Sequence, residues 1–270
     1  MVYIFITKMS LKIQVISDIH LEFIENYKFD EIVKPSAPNL AICGDLGLPY
    51  LDSYETFLSK CSENFINVFL ISGNHEYYQW KRQDKEIFTM DEVDKEIELI
   101  VKKFKNIYFL NNKCHILDDE HVVLGSTLWS NIKPKDYFDV VNSMNDYKQI
   151  YFLKNNNKAV ITPKFITEKF KENCLWLKNA IEQHSDKKII IMSHHLPSMK
   201  LINDKYKNNS LNCCFVSDLE YLMTDIVYLW LAGHSHSSFD LKIGNTRCLV
   251  NPKGYYDENP DYDISLVITV

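Results

Sequence analysis

The sequence has few of the residues that flexible or membrane-spanning chains need. It contains only seven glycines in 270 residues, and no linker rich in proline, glycine and serine divides it. With no break in composition either, we expect a single domain over residues 1–270. No stretch approaches the roughly 20 apolar residues that cross a bilayer, so we expect no membrane partner.

Arginine is also scarce, since Arg82 and Arg247 are the only two, and the net charge is -6. Bidentate arginine clamps on phosphate are therefore limited. The negative balance gives no general attraction to nucleic acid, although a local basic patch would still permit binding. A hydrophobic content of 46% with 24% charged residues is typical of a globular protein with a sizeable core.

The seven cysteines are an odd number and include no C-x-x-C pair. We interpret them as small buried residues in a reducing compartment, with a soft-metal or redox site at Cys213 and Cys214 as the alternative. The apolar start MVYIFIT lacks a basic leader, and we expect a soluble cytoplasmic protein. Met9 is an alternative start, because the ordered pattern begins at LKIQVISDIH.

Short apolar runs alternate with longer segments of helical pattern, which is typical of an α/β protein. We predict strands at IQVIS (13–17), NLAIC (39–43), NVFLIS (67–72), HVVLGS (121–126), KIIIMS (188–193) and IVYLWLA (226–232). Helices are predicted near 52–64, 84–104, 163–184 and 217–224, with Thr162 and Pro163 at the start of the third. The Asn- and Lys-rich pieces 154–158 and 203–212 are predicted loops.

The last third changes character. SFDLKIG, TRCLVN and ISLVITV follow one another, with a turn at Gly244 and Asn245. This pattern indicates a hairpin and a closing strand, so we expect two sheets packed together.

Five of the predicted strands end in side chains that bind metals. VISDIH ends in Asp18 and His20, LAICGD in Asp45, FLISGNHE in Asn74 and His75, IIMSHH in His194 and His195, and LWLAGHSH in His234 and His236. Binding sites of α/β proteins assemble at the carboxyl ends of strands, so these residues are expected to converge. Three glycines, Gly44, Gly73 and Gly233, directly precede ligand-type residues and are interpreted as tight turns out of the strands.

The two aspartates, the asparagine and four or five histidines form a mixed oxygen and nitrogen set. Such a set suits two borderline divalent ions, with manganese, iron or zinc as the candidates. A pair of ions bridged by one carboxylate clamps a phosphate and generates hydroxide near neutral pH. The sequence therefore favours phosphoester hydrolysis.

Taken together, these blocks resemble the calcineurin-like metallophosphoesterases, whose pattern is D-x-H, G-D, G-N-H-E, a histidine after a strand, and G-H-x-H. The matching residues are Asp18-Ile19-His20, Gly44-Asp45, Gly73-Asn74-His75-Glu76, His194 and Gly233-His234-Ser235-His236, in family order. The resemblance covers residues 13 to about 240. It implies an α/β fold: a four-layer α/β/β/α sandwich of two mixed β-sheets flanked by helices.

The resemblance also implies roles for these residues. Asp18, His20, Asp45 and His236 would hold one metal, and Asp45 would bridge to a second held with Asn74, His194 and His234. A metal-bridging hydroxide would be the nucleophile. His75 would face the leaving group as an acid and transition-state stabiliser.

Several histidines are left outside this set. His194 is preferred to His195 as the ligand because it comes first after its strand, which leaves His195 as a substrate-side or supporting group. We interpret His115, His121 and His184 as structural or surface residues.

Departures from the family pattern reduce the number of expected activities. Protein phosphatases of the family continue the second block as G-D-x-x-D-R-G, whereas this chain reads GDLGLPY, so protein phosphatase activity is disfavoured. A small phosphomonoester or phosphodiester is the expected substrate. The alternatives are a metal-dependent nuclease and a non-catalytic scaffold of the same fold.

Further stretches resemble a subgroup of uncharacterised bacterial-type phosphoesterases: SDIHLE, GSTLWS, MNDYKQI, SHHLPS and NPKGY. The segment 130–160 is predicted to be a long polar-aromatic loop. Its aromatic residues either contact substrate or pack onto the body of the protein. Lys253 and Arg247 are candidates for steering an anion, although ordinary surface charge is the alternative.

Overall fold

The computed structural model describes residues 10–80, 86–256 and 258–270. The expectations about MVYIFIT, Met9 and Arg82 therefore lie outside the described residues. The strands are β1 Lys12–Ile16, β2 Asn39–Cys43, β3 Asn67–Ile71, β4 Ile107–Phe109, β5 Lys113–Ile116, β6 His121–Ser126, β7 Tyr151–Lys154, β8 Asn157–Val160, β9 Lys188–Ser193, β10 Val227–Ala232, β11 Phe239–Ile243, β12 Thr246–Val250 and β13 Val267–Thr269.

The α-helices are α1 Phe29–Ile32, α2 Asp52–Asn64, α3 Met90–Val101, α4 Tyr137–Ser143, α5 Asp146–Gln149 and α6 Pro163–Gln183. Short 3-10 helices lie at Leu21–Phe23, His75–Tyr77, Pro134–Asp136, Met199–Leu201, Asp204–Tyr206, Ser210–Cys214 and Glu220–Leu222. In the ranges given above, no helix combines the length and apolar character that crossing a membrane requires.

Two large mixed sheets form the centre of the fold. The first has the order β13-β1-β2-β3-β4, in which β1 to β4 are parallel and β13 is antiparallel. The second has the order β11-β12-β10-β9-β6-β5, in which only the two outer strands are antiparallel to their neighbours. The predicted hairpin with its turn at Gly244 and the predicted closing strand are both confirmed.

The apolar strands are buried on both faces, as their near-continuous hydrophobic runs require. In β2, Leu40 and Ile42 face the helix side, whereas Ala41 and Cys43 belong to the core between the two sheets. On the outer faces α2 contacts β3, α3 contacts β4 and α6 contacts β6. The predicted arrangement of two sheets flanked by helices is therefore confirmed.

Side-chain caps define where two of the predicted helices begin. Thr89 and Glu92 form a reciprocal capping box at the start of α3, so this helix begins at Met90, later than the predicted range of 84–104. Residues 84 and 85 of that range lie outside the described residues. Thr162 accepts a hydrogen bond from the Phe165 amide ahead of Pro163, which confirms the predicted start of α6.

The helix predicted over 217–224 is wrong, because only a 3-10 turn at Glu220–Leu222 forms there. The amide of Ser217 donates to Leu196 O, and that of Leu219 donates to Pro197 O. This pairing, with a bridge between Leu196 and Val216, holds the start of the segment in an extended conformation beside the chain after β9.

The long loop predicted over 130–160 is also wrong. This segment contains α4, α5 and the β7–β8 hairpin. Val140 and Ile150 are buried in the core, so the segment packs its own apolar residues and forms regular structure.

The carboxyl ends of the parallel strands in both sheets meet at one edge. Ser17, after β1, donates its amide to Asn251 O after β12 (3.1 Å) and accepts from the Lys253 amide (2.9 Å). The Gly233 amide after β10 donates to His194 O after β9, at 3.0 Å. These bonds bring the strand exits of the two sheets side by side.

Candidate metal centre

The seven side chains expected to bind metal lie together at this edge. Six of them are buried, and the side chain of His236 is 12% exposed. Ligand atoms of Asp18, Asp45, His194 and His234 all lie within 4.8 Å of one another, as do those of Asp18, His20 and His236. Ligand atoms of His20, Asp45 and His75 form a third such group, so Asp18 and Asp45 each belong to two of the three.

The side chains expected around the first ion face a common space. His20 Nε2 lies 3.1 Å from His236 Nε2 and 3.8 Å from Asp45 Oδ2. His236 Nε2 lies 3.5 Å from Asp18 Oδ1. Ligand atoms of Asp18, His20 and His236 are thus close enough together for one divalent ion, and Asp45 Oδ2 adjoins this group at His20.

The second set lies on the other side of Asp45. His194 Nε2 is 3.4 Å from Asp45 Oδ2 and 3.1 Å from Asn74 Oδ1. The His234 ring lies 4.8 Å from the His194 ring, centroid to centroid. Asp45 Oδ2 is thus close to both His20 and His194, at a bridging position.

Outer partners fix which nitrogen of three histidines faces the site. Nδ1 of His20 donates to Glu22 (3.2 Å), Nδ1 of His236 to Glu258 (2.6 Å), and Nδ1 of His194 to the Cys43 carbonyl (2.9 Å). Each bond leaves Nε2 to act as a ligand, and carboxylate or carbonyl partners of this kind are usual behind metal-binding histidines.

One buried nitrogen in the cluster indicates whether the site suits a metal. Among the described residues, His234 Nε2 has no hydrogen-bond partner, although its side chain is buried. A buried polar atom left unpaired costs free energy, and a metal bond at this position would satisfy it. The facing Nε2 atoms of His20 and His236 also gain a common partner if an ion lies between them.

The backbone of the cluster is held in an uncommon conformation. Five of the seven residues have positive φ angles: Asp18 (53°), His20 (54°), Asp45 (52°), His234 (69°) and His236 (47°). Non-glycine residues in this region are destabilised by about 1 kcal/mol or more each, and such residues concentrate at functional sites. The fold around the strand exits therefore holds the ligand side chains in place.

Two different structural requirements explain the three glycines at the strand exits. Gly44 has φ +84°, so the interpretation as a tight turn holds for it. At Gly73 the reason is space, because a Cβ would lie 2.1 Å from Asp45 Oδ1. At Gly233 a Cβ would lie 2.6 Å from Asp18 Oδ2. Both latter glycines make room for the carboxylates.

His75 lies beside the cluster and is bonded at both ring nitrogens. Nδ1 donates to Glu22 Oε1 at 2.9 Å, and Nε2 shares a hydrogen bond of 2.9 Å with the Tyr255 hydroxyl. Burial lowers the pKa of His75, but the charges of Asp45 and Glu22 outweigh it and raise the pKa above its usual value. The imidazole is thus held between a carboxylate and a phenol hydroxyl at the pocket wall.

Glu22 is ionised at neutral pH despite its burial. Burial raises its pKa, but hydrogen bonds from His20 and His75 lower it to about 2. Burial likewise raises the pKa of Asp45, while the charge of His194 holds it well below its usual range. Both carboxyl groups are therefore ionised and available to cationic partners.

Glu76 ties two strand exits together. Its Oε2 accepts from the amides of Asp45 (3.0 Å) and Gly73 (2.7 Å), and its Oε1 accepts from the Leu46 amide (2.8 Å). The G-N-H-E glutamate thus fixes the loop that carries Asp45 against the loop that carries Asn74.

Asn74 is oriented by Asp146, the first residue of α5. Its Nδ2 donates to Asp146 Oδ1 at 2.9 Å, and the same oxygen accepts from the Tyr78 hydroxyl. With Nδ2 held there, Oδ1 faces His194 and the site.

The remaining histidines lie outside the cluster. His195 is buried, its Nδ1 donates to Thr127 O at 3.2 Å, and its ring packs 5.2 Å from Trp129. Burial and the neighbouring His194 lower the pKa of His195 to about 3, so it is neutral. His115 packs on Tyr108, and His121 bonds to Asp118. His184 ends α6.

Sequence reasoning missed the supporting residues Glu22, Glu258 and Tyr255. Glu22 and Tyr255 stand in the stretches SDIHLE and NPKGY, but nothing in those strings says which histidine each one contacts. Of the two side chains considered for anion steering, Arg247 is paired with Asp240, and Lys253 donates to Tyr256 O.

The seven cysteines are unpaired, and Cys43, Cys61, Cys214 and Cys248 are buried. The interpretation as buried thiols therefore holds for these four, whereas Cys114 is exposed and Cys174 and Cys213 are partly so.

The sequence matches the model of the calcineurin-like phosphoesterase family over residues 11–238. An uncharacterised protein, L509, of Acanthamoeba polyphaga mimivirus is 31% identical over an alignment of 271 residues, gaps included. The alignment covers 92% of each chain.

Solved structures show the same fold at low sequence identity. A phosphopantetheinyl hydrolase from Mycobacterium tuberculosis aligns with a TM-score of 0.74 at 14% identity, over 97% of this chain and 96% of that one. A dimetal phosphatase from Danio rerio aligns with a TM-score of 0.54 at 13% identity, over 91% and 88%. Since the family model spans most of the chain and the fold agrees with it, the chain belongs to the calcineurin-like phosphoesterase family.

Proposed function

We propose that the protein is a hydrolase of small phosphate esters that works with two divalent metal ions. Asp18, His20, Asp45 and His236 would hold one ion. Asp45, Asn74, His194 and His234 would hold the other. The observation that carries this proposal is the common direction of the imidazole nitrogens, because three outer partners turn Nε2 of His20, His194 and His236 toward one buried space.

When bound, two such ions neutralise phosphate charge and supply a nucleophile made from water near neutral pH. The oxygen and nitrogen ligands suit manganese, iron or zinc. The protein's own contribution is to hold the ligand side chains in position through hydrogen bonds to Glu22, Glu76, Glu258 and Asp146.

His75 is the proposed acid. It lines the pocket that opens beside Asp45, and Glu22 supplies a negative partner to its Nδ1. A histidine held in this way stabilises charge on the leaving oxygen and delivers a proton to it. The Tyr255 hydroxyl is hydrogen-bonded to the same Nε2 atom of His75. It must therefore move aside, or contact the leaving group itself, when the leaving group approaches His75.

The test is hydrolysis by protein purified with manganese. p-Nitrophenyl phosphate and bis-p-nitrophenyl phosphate report monoesterase and diesterase activity separately. Asp45→Asn, which removes the bridging carboxylate charge, should lower both metal content and turnover. Asp94→Asn, which replaces a partly buried carboxylate bonded to Tyr77 and Asn111, is the matched control. Two bound metals without hydrolysis of either ester over a broad pH range would overturn the proposal.

A further inference from the structure

The candidate metal centre opens into a pocket of about 340 Å³. Its walls include Asp45, His75 and His234 on one side and residues of the stretch 202–215 on the other. This volume is at the low end of the range for small-molecule sites. The pocket therefore has room for the organic group of an ester beside the phosphate.

The wall formed by 202–215 presents amide groups in fixed orientations. Oδ1 of Asn203 accepts from the Lys205 amide (3.1 Å), and Oδ1 of Asn209 accepts from the Leu211 amide (2.9 Å), each at the start of a 3-10 helix. Because the oxygens are used in these caps, both Nδ2 groups remain as donors. No acceptor for either of them is found in the described part of the chain.

Asn212 is oriented the opposite way. Its Nδ2 donates to Tyr206 O at 2.7 Å and to Lys207 O at 3.3 Å, so its Oδ1 is left as an acceptor. Apolar side chains stand between these amides: Ile202, Leu211 and Phe215. The ring of Phe215 stacks on that of His234, 4.5 Å between centroids, which joins the amide wall to the metal centre.

The side chains of 202–215 that line the pocket are uncharged, and none of the described lining residues is lysine or arginine. Glu258, an acid of the lining outside the ligand cluster, is bonded to His236 Nδ1 at 2.6 Å. Lys205 belongs to the same stretch but is not among the described lining residues; its ammonium lies over the Tyr206 ring, and its charge acts on Glu258. A charged group moved from water into this wall would lose hydration without gaining a partner.

We propose that the 202–215 wall binds the organic group of the substrate, and that this group is uncharged, partly apolar and bears amides or hydroxyls. The inference rests on the proposed phosphoesterase function and specifies its substrate class. The donors of Asn203 and Asn209 would meet carbonyl or hydroxyl oxygens, and Asn212 Oδ1 would meet an N–H or O–H. Ile202, Leu211 and Phe215 would cover the carbon chain between them.

A charge series of phosphomonoesters tests the class. The manganese-loaded protein is assayed with pantetheine 4′-phosphate, whose arm is uncharged and bears amides, with phosphocholine, whose arm is cationic, and with 3-phosphoglycerate, whose arm is anionic. p-Nitrophenyl phosphate is the reference. Since hydrogen bonds to the arm add to binding in the transition state, kcat/KM should favour the amide-bearing ester by about tenfold.

A double variant tests the named residues. Asn203→Asp with Asn209→Asp keeps both caps, because aspartate caps a helix as well as asparagine, but it replaces each donor with a carboxylate oxygen. The ratio of kcat/KM for pantetheine 4′-phosphate to that for p-nitrophenyl phosphate should fall about tenfold. Asn155→Asp in the turn between β7 and β8 makes the same chemical change away from the pocket, and it should leave this ratio unchanged.

Binding of the arm alone gives a readout that does not need turnover. Pantetheine, which lacks the phosphate, should give saturation-transfer NMR signals with the wild-type protein and weaker ones with the double variant, whereas choline should give none. Equal turnover of the charged and uncharged esters, or an unaltered ratio in the double variant, would overturn the inference while the phosphoesterase function stands. Failure to hydrolyse any ester, p-nitrophenyl phosphate included, would contradict both the substrate-class inference and the proposed phosphoesterase function.

Discussion

The Oε1 atom of Glu22 accepts a hydrogen bond of 2.9 Å from Nδ1 of His75. Glu22 stands two residues after His20 in the stretch SDIHLE. The same oxygen accepts from His20 Nδ1 at 3.2 Å, so one carboxylate supports both a proposed ligand and the proposed acid.

Replacing this carboxylate should affect both histidines. Glu22→Gln keeps the shape but removes the charge, and loss of such outer partners typically costs about 10- to 100-fold in metal affinity or activity. We expect kcat to stay lowered at saturating manganese, because His75 still lacks its charged partner. The measurement is kcat against metal concentration.

The exposed Glu25→Gln, three residues further along, is the control and should behave as the wild type. Full recovery of kcat in Glu22→Gln at high manganese would show that Glu22 acts through His20 alone.

Removing the proposed acid should separate metal binding from turnover. His75→Ala leaves all seven proposed ligands in place, so its metal content should match that of the wild type. Turnover should fall by about 10²- to 10⁴-fold, the usual contribution of a positioned general acid. Metal analysis and p-nitrophenyl phosphate assays on the same preparation check this, with His115→Ala as the control. Loss of metal in proportion to activity would instead identify His75 as a ligand.

Asp146 should affect the binding affinity of one of the two ions. Asp146→Ala loosens the Asn74 amide, because its Nδ2 loses the acceptor at 2.9 Å and keeps the longer bond to the Tyr78 hydroxyl at 3.2 Å. We expect the affinity for the ion held by Asn74, His194 and His234 to fall about tenfold or more, with little effect on the other. Calorimetric titration with manganese should then show two unequal steps. Asp139→Ala on the exposed face of α4 is the control, and an unchanged isotherm in Asp146→Ala would contradict this role.

Metal binding should release protons. Burial lowers the pKa of His194, but the charges of Asp45 and Asp18 outweigh it and raise the pKa to about 9 in the metal-free protein. Burial also lowers the pKa of His236, and hydrogen bonds to Asp18 and Glu258 raise it to about 10. Both rings therefore hold a proton near neutral pH, which a metal must displace, so affinity should rise as the pH approaches these values.

Calorimetry near neutral pH in buffers of different ionisation enthalpy measures the protons released per ion. His194→Ala should release fewer than the wild type. A binding enthalpy that is independent of the buffer would contradict this prediction.

The strands and their exits could be predicted because burial on both faces leaves a strong signal. NLAIC, HVVLGS and KIIIMS each have a continuous apolar run of three or four residues, and each forms a strand with the predicted bounds. Parallel strands place their carboxyl ends at one edge, so the convergence of Asp18, Asp45 and His194 followed from the pattern and the fold class. Their individual roles as ligands stay predictions.

The supporting contacts could not be predicted, because they depend on how distant segments approach one another. Glu258 reaches His236 from 22 residues away, and Tyr255 reaches His75 from 180 residues away. Asp146 lies in a segment whose polar and aromatic composition suggested a loop, yet buried Val140 and Ile150 hold it against the core. Composition does not report such tertiary packing.

The central claim is that two ions at this cluster drive phosphoester hydrolysis. Protein stripped with a chelator should be titrated with manganese while bound metal and p-nitrophenyl phosphate turnover are followed together. The account predicts binding of two ions per chain, with turnover appearing as the second site fills and absent from Asp45→Asn. Two ions bound with no turnover of this ester or of bis-p-nitrophenyl phosphate, or turnover that persists in metal-free protein, would contradict it.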